Sequence, residues 1–303
     1  MASKHGCLKS TLFGCLGIIA LLVIVVGVSL VMALQGVEGE QVADRELTAT
    51  ETGGEAVQPT LVQRPGRVEL DLNQGEFRIR PGQPGTGVAV KARFDQNSYE
   101  LIDELEVLPD STWVYRVEYH RTIGTLQAIL RSIVGGGSES RVDVYLPPDV
   151  PITLALDVAQ GGGEVELGGL WLIDAEIDYN QGGFELAVSE PLREPLGTLA
   201  IRGSMGGFEA TGLGNASPSI LRIDCSMGGG EVDLSGAWLQ DAAVDISVNM
   251  GGMAVIVPAD LVVEGTAVKG ASPDLQPADP EVPVPTLRMT IDQSMGEVEV
   301  VRR

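Results

Sequence analysis

The chain has 303 residues, with 20 Lys and Arg against 42 Asp and Glu, for a formal net charge of −22. That balance excludes a reader of phosphate backbones, which needs a basic surface. Apolar residues make up 44% but aromatics only 4%, and there are 39 glycines, so the core must be built from Val, Ile and Leu. Cys7, Cys15 and Cys225 form no disulfide framework and sit at no metal-ligand spacing. His5 and His120 leave little material for histidine-based catalysis.

In chain order, residues 1–10 form a short N-terminus expected in the cytoplasm. Residues 11–34, TLFGCLGIIALLVIVVGVSLVMAL, contain no charge and no proline. As a helix rising 1.5 Å per residue they reach about 36 Å, enough to span a bilayer's hydrocarbon core. Lys4 and Lys9 precede this span, whereas Glu38, Glu40, Asp44 and Glu46 follow it. The positive-inside rule therefore predicts a single-pass anchor in the cell membrane, with everything after residue 35 extracytoplasmic. Residues 35–65 are rich in Glu, Thr and Gly, lack a hydrophobic period and read as a disordered stalk.

From residue 66 onward a repeat organises the chain. A small residue, then Gln or Met, then Gly recurs with its glycine at Gly75, Gly161, Gly182, Gly206, Gly228, Gly251 and Gly296. The intervals are 86, 21, 24, 22, 23 and 45 residues, a period typical of stacked-repeat folds. The value 45 reads as two periods and 86 as nearly four. Five residues before each glycine stands a large aliphatic residue: Leu70, Leu156, Ile177, Ile201, Ile223, Ile246 and Ile291. Four residues after it stand Ile79, Val165, Leu186, Ala210, Val232, Val255 and Val300. Alternation such as Val244-Asp245-Ile246-Ser247-Val248 marks strands with one buried face. The alternation slips by one at the glycine, which can supply the bulge or corner required.

These features predict an all-β, stacked-coil β-solenoid over residues 66–303. By phase, the column Gln74, Gln160, Gln181, Met205, Met227, Met250 and Met295 is expected to point inward, with glutamines exchanging hydrogen bonds and methionines filling space. Cys225 shares that phase and is expected to act as a buried small hydrophobe. Residues 122–134, TIGTLQAILRSIV, place Ile123, Leu126, Ile129, Leu130 and Ile133 on one helical face, predicting a helical insertion that caps an open end or, with Arg121 and Arg131 nearby, meets membrane or a partner. Residues 271–285 hold five prolines and read as a loop.

The anchor, Leu146-Pro147-Pro148-Asp149-Val150 leading into a strand, the NQGG and SMGG units, and the closing Ser294-Met295-Gly296-Glu297-Val298-Glu299-Val300 form a recognisable set. Together they resemble the toast-rack family of bacterial adhesin-like proteins, whose relatives include C-terminal domains of cell-wall-stress response proteins. The resemblance spans roughly residues 66 to 301. It implies a toast-rack-like, non-enzymatic extracytoplasmic domain, with no catalytic residues and no cofactor to carry over.

The function expected is a membrane-anchored binding or scaffold module for adhesion or envelope-stress sensing. Its partner is an unknown extracytoplasmic protein or glycan, or a membrane signalling protein; nucleic acid is not expected. A polysaccharide-acting β-helix enzyme is the alternative from another class. An acidic column three residues after the glycine, Glu164, Glu185, Glu209, Glu231 and Glu299, is broken by Arg78 and Ala254. Its equal spacing is unlike the differentiated pair of an acid and a base. A divalent-cation-binding β-roll would use Glu164, Glu185, Glu209 and Glu231 as ligands. A calcium cage usually draws on backbone carbonyls or loop carboxylates as well, so a solvated stripe is the reading preferred. No Gly-x-Ser-x-Gly elbow, P-loop or dinucleotide fingerprint occurs.

Overall fold

The computed structural model describes residues 41–48, 64–123, 140–265 and 285–303. The expected membrane span at 11–34 and all but the first two residues of the expected helical stretch at 122–134 lie outside them, as does most of the proline-rich loop. Among the described residues no helix is long and apolar enough to cross a membrane.

The described residues are all-β and form one large mixed sheet of thirteen strands. Seven long strands form its spine: β2 (Gly66–Pro81), β7 (Ile152–Glu166), β8 (Leu172–Ala187), β9 (Thr198–Thr211), β10 (Ile220–Asp233), β11 (Ala242–Val257) and β13 (Thr286–Arg302). They lie side by side in that order, all parallel. The register keeps the repeat columns together. Ile223 pairs with Ile201 and Ile246, and Ile246 with Ile291. The aliphatic columns on both sides of the glycine are buried throughout, except that Val300, in the last strand, is only partly covered.

Each long strand carries its glycine near the middle, and the register lines these glycines up in one column. Gly161, Gly182, Gly206, Gly228, Gly251 and Gly296 have φ between +126° and +159°, a region that disfavours side chains. They also stack so closely that a Cβ on any of them would meet the preceding glycine's carbonyl oxygen at 1.6–2.0 Å. The corner therefore needs glycine twice over, for its backbone angle and for its contact.

The chain returns from one long strand to the next through turns that also stack. Leu167, Leu170, Leu192, Leu196, Leu213, Leu234 and Trp238 are buried in these connections. Leu167 N donates to Ala187 O at 2.9 Å, Val188 N to Thr211 O at 3.0 Å, and Gly214 N to Ser235 O at 2.8 Å. Asn215 ties two more levels together, its amide donating to Val188 O at 2.8 Å while its Oδ1 accepts from Ala237 N at 3.0 Å.

The N-terminal end is built differently. β5 (Trp113–Arg121) runs parallel to the first half of β2, and β6 (Arg141–Leu146) parallel to its second half. Together they make one further level, broken at the corner, where Glu76 N donates to Ser140 O at 2.9 Å. Antiparallel strands then follow: β4 (Tyr99–Val107) on β5, β3 (Ala89–Asp95) on β6, and β1 (Val42–Thr48) on β3. Among the described residues, then, the 86-residue interval holds one broken parallel level, β5 and β6, and the antiparallel strands β3 and β4, rather than further glycine-cornered coils. Neither is the 45-residue interval a hidden coil, because β11 and β13 are direct neighbours. The short β12 (Val262–Glu264) pairs only with Thr286–Arg288 of β13.

Two sequence expectations are corrected here. Within the region read as a disordered stalk, Val42–Thr48 forms an edge strand that buries Ala43 and pairs Lys91 with Glu46 at 3.0 Å. Its charges hid a single-sided alternation. The Gln/Met column points outward: Met205, Met227, Met250 and Met295 are 38, 42, 38 and 62% exposed. The sequence phase placed the slip at the glycine, whereas the pairing breaks at the small residue two positions earlier. Cys225 pairs with Gly203 and Met227 with Met205, and the intervening serines are skipped. Gln160 Nε2 does donate to Gln181 Oε1 at 2.7 Å, but on the exterior. Cys225 is half-buried beneath the Tyr179 hydroxyl, 3.7 Å away, and burial raises its thiol pKa.

Candidate functional site

Inward positions are filled by aliphatic and aromatic side chains, and the charged side chains stand at the outward positions of the two faces. On the face after the corner, the register brings the predicted glutamates into one line. Glu164 pairs with Glu185, Glu185 with Glu209, and Glu209 with Glu231. Ala254 separates Glu231 from Glu299. Arg78 ends the line at the other side, its Nε 3.0 Å from Glu164 Oε2. All five glutamates are exposed. Among the described residues, no three His, Cys, Asp or Glu side chains are grouped so as to hold a metal ion.

The face before the corner carries a second acidic column that sequence reasoning passed over. Glu118, Asp71, Asp157 and Asp178 are register neighbours, followed by Arg202 and Asp224. The signal was available in the same alignment, four residues before the glycine, but arginine and serine interrupt it. Arg202 bonds Asp178 at 3.1 Å and also pairs with Glu176. One column over, Glu69 accepts from Arg67 at 2.6 Å and from Arg116 at 2.7 Å. Burial pushes the Glu69 carboxyl pKa up, but the two guanidiniums outweigh it and hold it below its ordinary value. Arg67, Glu69, Asp71, Arg116, Asp157 and Asp178 line an open groove of about 460 Å³. It is a shallow charged surface, unlike the enclosed apolar pockets that hold small molecules.

Asp157 lies between Asp71 and Asp178, with a carboxylate on both sides of it in the column. Partial desolvation, then the charges of Asp71 and Asp178, raise its pKa above the ordinary 3.8. The folded state therefore binds this proton more tightly than the unfolded chain does. Its contribution is favourable when protonated and is lost as pH rises through the raised folded value. Asp157→Asn should raise the unfolding free energy at pH 7, measured by urea titration, by less than about 1 kcal/mol, the scale of a screened repulsion between neighbours. The gain should disappear at pH 3, below the ordinary pKa. A variant equally stabilised at both pH values would show that charge is not the cause.

His120 Nε2 lies 3.5 Å from Glu100 Oε2, with both side chains exposed.

No family model and no curated protein matches the chain. Solved structures do resemble it. One is described as a "putative cell adhesion protein" from Clostridium sporogenes ATCC 15579, 10% identical, covering 87% of this chain and 100% of its own, with a TM-score of 0.45. Another is a "putative adhesin" from Bacteroides fragilis NCTC 9343, 9% identical, covering 86% and 97%, with a TM-score of 0.39. A third, described as a "putative lipid binding protein" from Parabacteroides distasonis ATCC 8503, is 10% identical and covers 86% and 96%, with a TM-score of 0.27.

Proposed function

We propose that the chain is a non-enzymatic binding or scaffold module, a stacked-coil solenoid held outside the cell by the apolar segment at residues 11–34 and acting in adhesion or envelope-stress sensing. The observation that carries this reading is the pair of outward acidic columns. They run from strand to strand along two long faces, interrupted at Arg202 and Ala254, as suits an extended contact surface. The asymmetry of Lys4 and Lys9 against the acidic residues after the span supports the orientation.

Protease added to intact cells or protoplasts should remove the domain after residue 35. Cells producing the chain should attach to surfaces more than cells lacking it, and the purified chain should leave polysaccharides uncleaved. Proteolysis only after permeabilisation would refute the orientation. Polysaccharide cleavage that Glu209→Gln abolishes would refute the non-enzymatic reading.

A further inference from the structure

The outward turn of the Gln/Met column leaves four thioethers in a row on the corner of the sheet. Met205 pairs with Met227, Met227 with Met250, and Met250 with Met295. Each occupies the same place on a neighbouring strand, so their Cα atoms are separated by the inter-strand spacing of about 4.8 Å. The positions around them carry no competing ligand on most levels. Before each methionine stands Ser204, Ser226, Asn249 or Ser294, and after it comes the glycine of the corner. A second glycine, Gly207, Gly229 or Gly252, follows on three of the four levels. With no side chains on those glycines, the thioethers stand clear on bare backbone.

Thioether sulfur is a soft, uncharged donor that discriminates against hard cations and selects Cu(I) and ions like it. The spacing suits such an ion. With metal–sulfur bonds of roughly 2.3 Å, as at thiolate sites, an ion held between two sulfurs spans at most about 4.6 Å. Flexible methionine side chains on adjacent strands can close to that separation. The column Glu164, Glu185, Glu209 and Glu231 holds its hard oxygen donors three residues past the glycine, on the face after the corner.

We propose that Met205, Met227, Met250 and Met295 form a binding ladder for a soft monovalent cation, Cu(I) or Ag(I), held by three consecutive thioethers. The ladder contains two overlapping trios, Met205–Met227–Met250 and Met227–Met250–Met295. The two inner methionines belong to both trios and the two outer ones to one each. This is independent of what the acidic faces bind.

The test uses the full chain in detergent with Cys7, Cys15 and Cys225 replaced by serine, so that no thiol competes, and Ag(I) as the air-stable probe. With methionine methyl groups labelled with carbon-13, Ag(I) should shift the signals of Met205, Met227, Met250 and Met295. Those of the buried Met253 and Met289 should stay in place. Met227→Leu or Met250→Leu breaks both trios and should weaken Ag(I) binding at least tenfold. Met205→Leu or Met295→Leu leaves one trio and should weaken it no more than about twofold. Leucine suits these exposed strand positions, and an unchanged melting temperature will verify folding. Methyl signals unmoved by Ag(I), or four leucine variants with equal losses, would overturn the ladder. Cu(I) under a reductant should reproduce the Ag(I) pattern; binding of Ag(I) without Cu(I) would overturn the assignment to both ions.

Discussion

Gly206→Ala should destabilise the protein by about 3 kcal/mol or more, while Gly207→Ala, one residue along, should be neutral or slightly stabilising. Gly206 has φ +137°, and a Cβ there would meet Gly182 O at 2.0 Å. The backbone strain alone is worth roughly 1–3 kcal/mol. The clash adds to it, because the blocked atom is backbone and cannot rotate away. At Gly207 nothing lies within 4 Å of the added Cβ. Alanine there restricts the unfolded chain, a gain of about 0.4–1 kcal/mol where the native angles suit it. Urea midpoints for the two variants give the comparison. Equal losses would mean that the corner is not held by the stacked glycines.

The second large effect is expected in the middle of the core. Tyr179, Phe184 and Phe208 form an aromatic cluster. Tyr179 and Phe184 have ring centroids 5.2 Å apart and planes 4° from parallel, and Phe208 lies 5.5 Å from Tyr179. Gly163, the register neighbour of Phe184, provides the room: a Cβ there would come within 2.8 Å of the ring. Phe184→Ala should cost about 3–5 kcal/mol, as the removed ring leaves a cavity that fixed strands cannot fill. Tyr179→Phe keeps the ring and loses only the contact with Cys225, so it should cost less than about 1.5 kcal/mol. A small loss for Phe184→Ala would show that the neighbouring levels collapse onto the gap.

The buried columns and the glycine corner could be read from the sequence because both are properties of single positions repeated at a near-constant interval. Ile177, Ile201, Ile223 and Ile246 are buried where the alternation placed them, and the glycines stack as one column. The direction of the Gln/Met column was not legible. It depends on whether the pairing breaks at the glycine or two residues before it, and both alternatives fit the same pattern of residue types. The antiparallel end was hidden for another reason. β4 and β5 pair across a hairpin with no glycine signature, so nothing in the interval between Gly75 and Gly161 distinguishes them from degenerate coils. The second acidic column was missed because the length of a ladder is set by register, and Arg202 interrupts its sign.

The glycine column also governs how the chain tolerates a change of length. A whole unit of 21 to 24 residues, inserted or removed, shifts everything beyond it by one strand separation, about 4.8 Å, and leaves every outward column intact. A shorter insertion near the corner would throw the glycines out of phase and break the stack. Between the end of one long strand and the start of the next there is no such constraint, as the 45 residues from Gly251 to Gly296 demonstrate by rejoining at the very next rung. Height is thus quantised along one edge of the molecule while the opposite edge accepts additions of any size. Descendants of such a chain can grow taller only in whole steps, yet can acquire new surface loops freely.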